Sequence, residues 1–151
     1  MRVFLNNKLY AYAVKLLARR EYSIRELYSK ALAKGYAENE ISVVIHKLLE
    51  FDFQSDYRYA EMIVNSKYNK CYGPNYIQYY LHQKGMSKSY FEAIIKENHY
   101  DWVAVATQIV QKRLNQVQSV DRIDEQKQIM FLQNRGFSID HAKAAMLNVF
   151  K

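Results

Sequence analysis

The sequence predicts an all-α fold of three tandem three-helix repeats, stacked into an elongated, curved array. Three observations carry this expectation. Only 4 glycines and 1 proline occur in 151 residues, whereas an all-β chain needs turn-formers every 8–12 residues or so. Three of those glycines recur in one context, "LAKGYAENEI" at Gly35, "LHQKGMSKSYF" at Gly85 and "LQNRGFSIDHA" at Gly136, spaced 50 and 51 residues apart. Around each glycine, apolar side chains fall at helical spacing.

The elements follow in order. Residues 1–10 form an N-terminal arm carrying Arg2 and Lys8. The first repeat, 11–56, opens with "YAVKLLARR" and continues through "SIRE", Ser23 to Glu26, which has the form of a capping box. The second, 57–100, opens with "YAEMIVNSKYNK", and Pro74 suits the first turn of its middle helix. The third, 101–151, opens with "WVAVATQIVQKRL", and Ser138 is placed to cap its last helix.

The middle helices bury Leu27 and Ala31, Ile77 and Leu81, and Ile129 and Leu132. The third helices bury Ile41, Val44 and Ile45; Phe91, Ile94 and Ile95; and Ala142, Ala145 and Met146. Between middle and third helix each glycine takes the left-handed conformation that ends a helix, after a basic residue (Lys34, Lys84, Arg135) that suits the negative helix end. Units of roughly 45 residues are near the lower limit of a self-sufficient core, so each is expected to lean on its neighbours.

Net charge is +7. The arm and the later repeats hold the excess: 6 basic against 3 acidic residues in 57–100 and 7 against 5 in 101–151, with 7 against 7 in 11–56. Such a balance suits a polyanionic partner, most simply nucleic acid, although a basic protein without one has the same composition. A single cysteine, Cys71, excludes an intrachain disulfide and fits a cytoplasmic setting. No apolar run approaches the ~18 residues of a membrane-spanning helix.

Catalytic and cofactor chemistry finds no convergent set. Cys71 beside Lys70 reads as a structural residue in preference to a nucleophile. His46, His82, His99 and His141 show no i,i+4 pairing, and no glycine-rich phosphate loop is present. The chain is therefore expected to be no enzyme and to need no cofactor.

Binding residues are better represented. On the helix after Pro74, a core-facing Ile77 and Leu81 leave Asn75, Tyr79, His82 and Gln83 outward, with Tyr76 at the flank and Tyr80 at the edge. Tyr72, Tyr76 and Tyr79, with Lys67, Lys70 and Lys84 nearby, form a candidate contact surface for protein or single-stranded nucleic acid. Packing of these tyrosines against the adjoining repeat is the alternative. Arg19 with Arg20, and Lys112 with Arg113, end the first helices of repeats one and three, where they either meet phosphates or stabilise the helix end. Helix–turn–helix DNA readers are also three-helix units, which leaves a DNA-binding protein as a second reading. The third helices, however, are poor in arginine and begin with acidic or small residues.

The segments "LLARREYSIREL", "KGY" at 34–36, "DYRYA" at 56–60 and "GPNYIQYYLHQKG" at 73–85 resemble, in order and spacing, the RecX family of regulators of the RecA recombinase. The resemblance is strongest over residues 12–95 and looser after Trp102. It implies tandem three-helix repeats lying along a RecA–DNA filament and inhibiting its extension, ATP hydrolysis, strand exchange and co-protease function. Recombination, DNA repair and the SOS response would be modulated in consequence. The partners implied are the RecA filament and single- and double-stranded DNA, the latter bound weakly and non-specifically when alone, with no membrane involved. Two departures stand out. Cys71 and Tyr76 replace a glycine and a basic residue usual near the "GP" signature, which favours a tyrosine-mediated protein contact over phosphate binding. "FDFQS" at 51–55 replaces a commoner glycine-containing turn, implying a stiffer join.

Overall fold

The computed structural model describes residues 4–116 and 124–150. Among them are nine α-helices and no strand: α1 (Asn7–Arg19), α2 (Ile24–Ala33), α3 (Glu38–Glu50), α4 (Asp56–Asn69), α5 (Pro74–Gln83), α6 (Lys88–Glu97), α7 (Trp102–Asn115), α8 (Glu125–Asn134) and α9 (Ile139–Val149). They group as three successive sets of three, as the glycine period predicts. Two compact units result, one of residues up to 62 with 84–86, the other of 63–83 with the chain from 87 onward.

In the first unit, α1 starts earlier than the sequence suggested. Residues 7–10 of the expected arm are already helical, because the Asn6 side chain accepts the Leu9 N–H at 3.1 Å and Leu9 is buried. Residues 1–3 of the arm, with Arg2, lie outside the described residues. Ser23 closes the expected capping box, its hydroxyl accepting from Glu26 N–H while the Glu26 carboxylate accepts from Ser23 N–H. Leu9, Ala13, Leu27, Ala31, Ile41, Val44, Ile45 and Leu48 make the core of α1–α3.

Residues 51–58 close this unit with polar bonds. Gln54, 1% exposed, donates its amide to the Tyr22 carbonyl at 3.1 Å and to the Asp56 carboxylate at 2.7 Å. The same Asp56 oxygen accepts Ile24 N–H at the start of α2. Arg58 pairs with Glu21 and Asp52, each at 3.1 Å, and donates to the Asp52 carbonyl at 2.7 Å.

In the second unit, Ile63, Val64, Ile77, Leu81, Phe91 and Ile94 are buried in the middle repeat, and Val105, Ala106, Val110, Ile129, Leu132, Phe137, Ala142, Ala145 and Met146 in the last. Helix α9 packs against both α7 and α8. Ser138 caps α9 by accepting His141 N–H, as expected, and Asp101 caps α7 through Ala104 N–H. Gly136 has φ +101°, and Phe137 N–H returns to the Leu132 carbonyl to finish α8.

Candidate functional site

The turn that leads into α5 gathers most of the aromatic and basic candidates of the second unit. Pro74 begins the helix, so the chain must turn sharply at Cys71–Gly73, and Cys71 does so with φ 66°, the left-handed region. From there Tyr72, in the turn, and Tyr76 and Tyr80, one helical turn apart on α5, line up in a ladder. The rings of Tyr72 and Tyr76 stack with centroids 4.1 Å apart and planes at 15°; Tyr76 and Tyr80 follow at 6.4 Å and 27°. Lys67 on α4 lies against this ladder, its Nζ 4.3 Å from the Tyr80 centroid and 5.6 and 5.9 Å from those of Tyr72 and Tyr76.

Arg135, at the end of α8, completes the cluster. Its guanidinium stands 4.2 Å from the Tyr72 centroid, donates Nε–H to the Cys71 carbonyl at 3.1 Å and donates from the second terminal nitrogen to the Lys70 carbonyl at 2.8 Å. Burial, with Tyr72 close by, pushes the Tyr76 phenol above its ordinary value. The rings of Tyr72 and Tyr76 are thus occupied by one another and by cations, leaving little free face for a nucleobase. Tyr76, expected at the flank of the contact surface, belongs to this internal ladder.

The outward side of α5 is the set read from the sequence: Asn75, Tyr79, His82 and Gln83 are exposed, and Tyr79 is 63% exposed. Lys70 is exposed at the turn. Lys112 lines, with Cys71, Gln108, Gln111 and Asn115, a shallow hollow of about 330 Å³. Its neighbour Arg113 is engaged within the unit, 3.7 Å from the Phe131 centroid and bonded to Gln128 at 2.8 Å.

Arg19, Arg20 and Lys84 belong to the first unit. Arg19 is the exposed last residue of α1. Arg20 lies 3.6 Å from the Tyr22 centroid and grips the Glu26 carboxylate at 3.1 Å. Burial alone would raise the Glu26 pKa, but hydrogen bonds from Arg20 and the Ser23 backbone, aided by the Arg20 and Lys84 charges, hold it below the usual carboxylate range. Of the Arg19–Arg20 pair, one side chain therefore has a structural partner. Sequence reasoning missed Arg135, treating it only as a helix-end charge. Among the described residues, no group of three or more His, Cys, Asp or Glu side chains is placed to hold a metal ion.

Comparison with known proteins matches this architecture repeat by repeat. Sequence models of the first, second and third three-helix domains of RecX match residues 10–48, 55–93 and 100–146. Regulatory protein RecX of Vibrio parahaemolyticus is 34% identical over 134 residues, covering 89% of this chain and 86% of that one. The Acinetobacter baylyi protein of the same name is 35% identical over 133 residues, 88% and 82% of the two chains. The crystal structure of RecX from Lactobacillus salivarius superposes with a TM-score of 0.79 at 25% identity, covering 93% of this chain and 94% of that one. With all three domains present in order, the chain belongs to the RecX family of regulatory proteins.

Proposed function

We propose that this protein binds RecA filaments assembled on DNA and restrains their extension and activity, lowering ATP hydrolysis, strand exchange and co-protease function. Membership of the RecX regulatory family over all three domains carries this reading. Three helical domains on one chain let several weak contacts act together, since each contact raises the effective concentration of the next. The exposed face of α5, with Tyr79 flanked by Asn75, His82 and Gln83, has the aromatic-and-amide composition of a protein contact. The basic excess after residue 57 favours an assembly that contains DNA. The role is regulatory, without a reaction of its own.

The test adds purified protein to RecA on single-stranded DNA and follows ATP hydrolysis. Inhibition at stoichiometric protein is expected, and an unchanged rate removes the reading. Tyr79→Ala is expected to raise the half-inhibitory concentration about 5–30-fold, the cost of an interface tyrosine worth 1–2 kcal/mol, with the helix content kept. Tight binding to duplex DNA alone, steeply weakened by salt, would instead favour a DNA reader acting without RecA.

A further inference from the structure

We infer that Arg135 is a latch, a positioning residue that fixes the α8–α9 turn onto the turn before α5, so that α5 and the third helical domain move as one body. The three residues preceding the repeat glycines look equivalent in sequence, yet Lys34 and Arg135 differ in what they reach. Lys34 lies over Tyr12 of its own repeat, its Nζ 4.0 Å from the centroid. Arg135 reaches back to a turn 64 and 65 residues earlier in the chain, where it occupies two backbone carbonyls and one ring face at once. A planar fork with donors in fixed directions suits that triple contact; an ammonium offers its three donors from one atom and has no plane to lay on the ring.

The backbones beneath the latch are interlocked. Gly73 N–H donates to the Arg135 carbonyl and Asn75 N–H to the Gly136 carbonyl, both at 2.8 Å. The approach leaves no room for side chains: a Cβ at Gly73 would collide with the Gly136 carbonyl, and a Cβ at Gly136 with the backbone of Tyr76. Two turns thus share backbone hydrogen bonds, a guanidinium and a close glycine contact. Residues this far apart in sequence and this closely joined should open together, as one cooperative element.

Amide hydrogen exchange on the full chain, with no RecA or DNA present, tests the latch independently of the proposed function. In Arg135→Ala, exchange in α8, α9 and the turn at 71–73 is expected to speed about tenfold or more, while α1–α3 keep their rates; loss of a guanidinium bonded to two carbonyls supports a change of that order. Arg135→Lys is expected to recover little of the protection. Trp102, the sole tryptophan, gives a second readout, since its ring lies 5.3 Å from that of Tyr68 on α4. Its urea transition should fall away from that of the whole chain in both variants. Unchanged exchange in Arg135→Ala, an equal rise in all nine helices, or full recovery by lysine would each overturn the latch. Should the alanine variant fail to fold, the lysine variant alone decides by the same measurement.

Discussion

Two turns of this molecule solve one problem with different chemistry. The loop after α3, in the first unit, and the turn after α4, in the second, each force a non-glycine residue into the left-handed region: Asp52 at φ 56° and Cys71 at φ 66°. The first is held by carboxylates, since Arg58 spans Glu21 and Asp52 while Asp56 binds the α2 N-terminus and the Gln54 amide. The second is held by carbonyls, rings and a glycine contact, with Arg135 and Gly136 supplied from the third domain. One repeat architecture therefore contains a charge-dependent closure and a shape-dependent one. They should fail under different insults.

The largest contrast is steric. Gly136→Ala meets both a left-handed φ of +101° and a Cβ inside the Tyr76 backbone, so strain and overpacking add to about 3 kcal/mol or more. Gly35→Ala has the same kind of φ, +93°, but nothing within 4 Å of the new Cβ, which leaves the backbone cost of about 1 kcal/mol. Urea midpoints of the two variants measure the difference. Equal losses would mean that the Gly136 contact relaxes without cost.

A smaller effect separates the turns by charge. Arg58→Ala removes two partly exposed ion pairs and a carbonyl bond, for about 1 kcal/mol. Proton linkage points the same way. Glu40 is held below its usual 4.5 by hydrogen bonds from the Asn6 amide and the Ala37 N–H, and Glu26 is also held low. Their contribution is complete above the unfolded value and drains away as pH falls through the lower folded values, so acid should loosen the first unit first. Tyr76 has the opposite sign: with its pKa raised above 10.0, its contribution is complete below that pH and is lost as pH rises through the folded value. Hydrogen exchange at pH 4 checks the acid limb, and urea midpoints at about pH 9 and about pH 11 check the alkaline one. The idea fails if acid opens the second unit before the first.

How far the sequence reached follows from where each signal is stored. The three glycine frames were legible because helix period and left-handed termination are local: Ile41, Phe91 and Ala142, and Val44, Ile94 and Ala145, are all buried as their offsets require. The exposed face of α5 was legible for the same reason, once Ile77 and Leu81 fixed its rotation. The start of α1 was missed although Asn6, a good capping residue, precedes the apolar spacing. Arg135 was illegible in its role because two of its partners are backbone carbonyls 64 and 65 residues away, which carry no sequence signature. The faint clue was its identity, arginine where the other two frames have lysine. Tyr76 and Tyr80 could be placed at the flank and edge of a helix and Tyr72 in the connection before it, but whether their rings met solvent or one another depended on Lys67 and that arginine.

The smallest effect bears directly on the paired left-handed residues. Cys71 carries a Cβ through a conformation that costs a non-glycine residue about 1–2 kcal/mol, while a glycine there would lose about 0.5–1 kcal/mol more chain entropy on folding. Part of the difference is offset by the contact of the half-buried Cys71 side chain with the core of α7–α9. Cys71→Gly should therefore gain roughly 0.5 kcal/mol, and its carbonyl stays available to Arg135. Asp52→Gly relieves the same strain but removes the Arg58 partner, an exposed pair worth at most about 0.5 kcal/mol, so its net change should lie near zero. Denaturant midpoints rank the two. If Cys71→Gly destabilises more than Asp52→Gly, the thiol is a packing residue whose loss outweighs backbone relief, and the second turn depends on that side chain as much as on the latch above it.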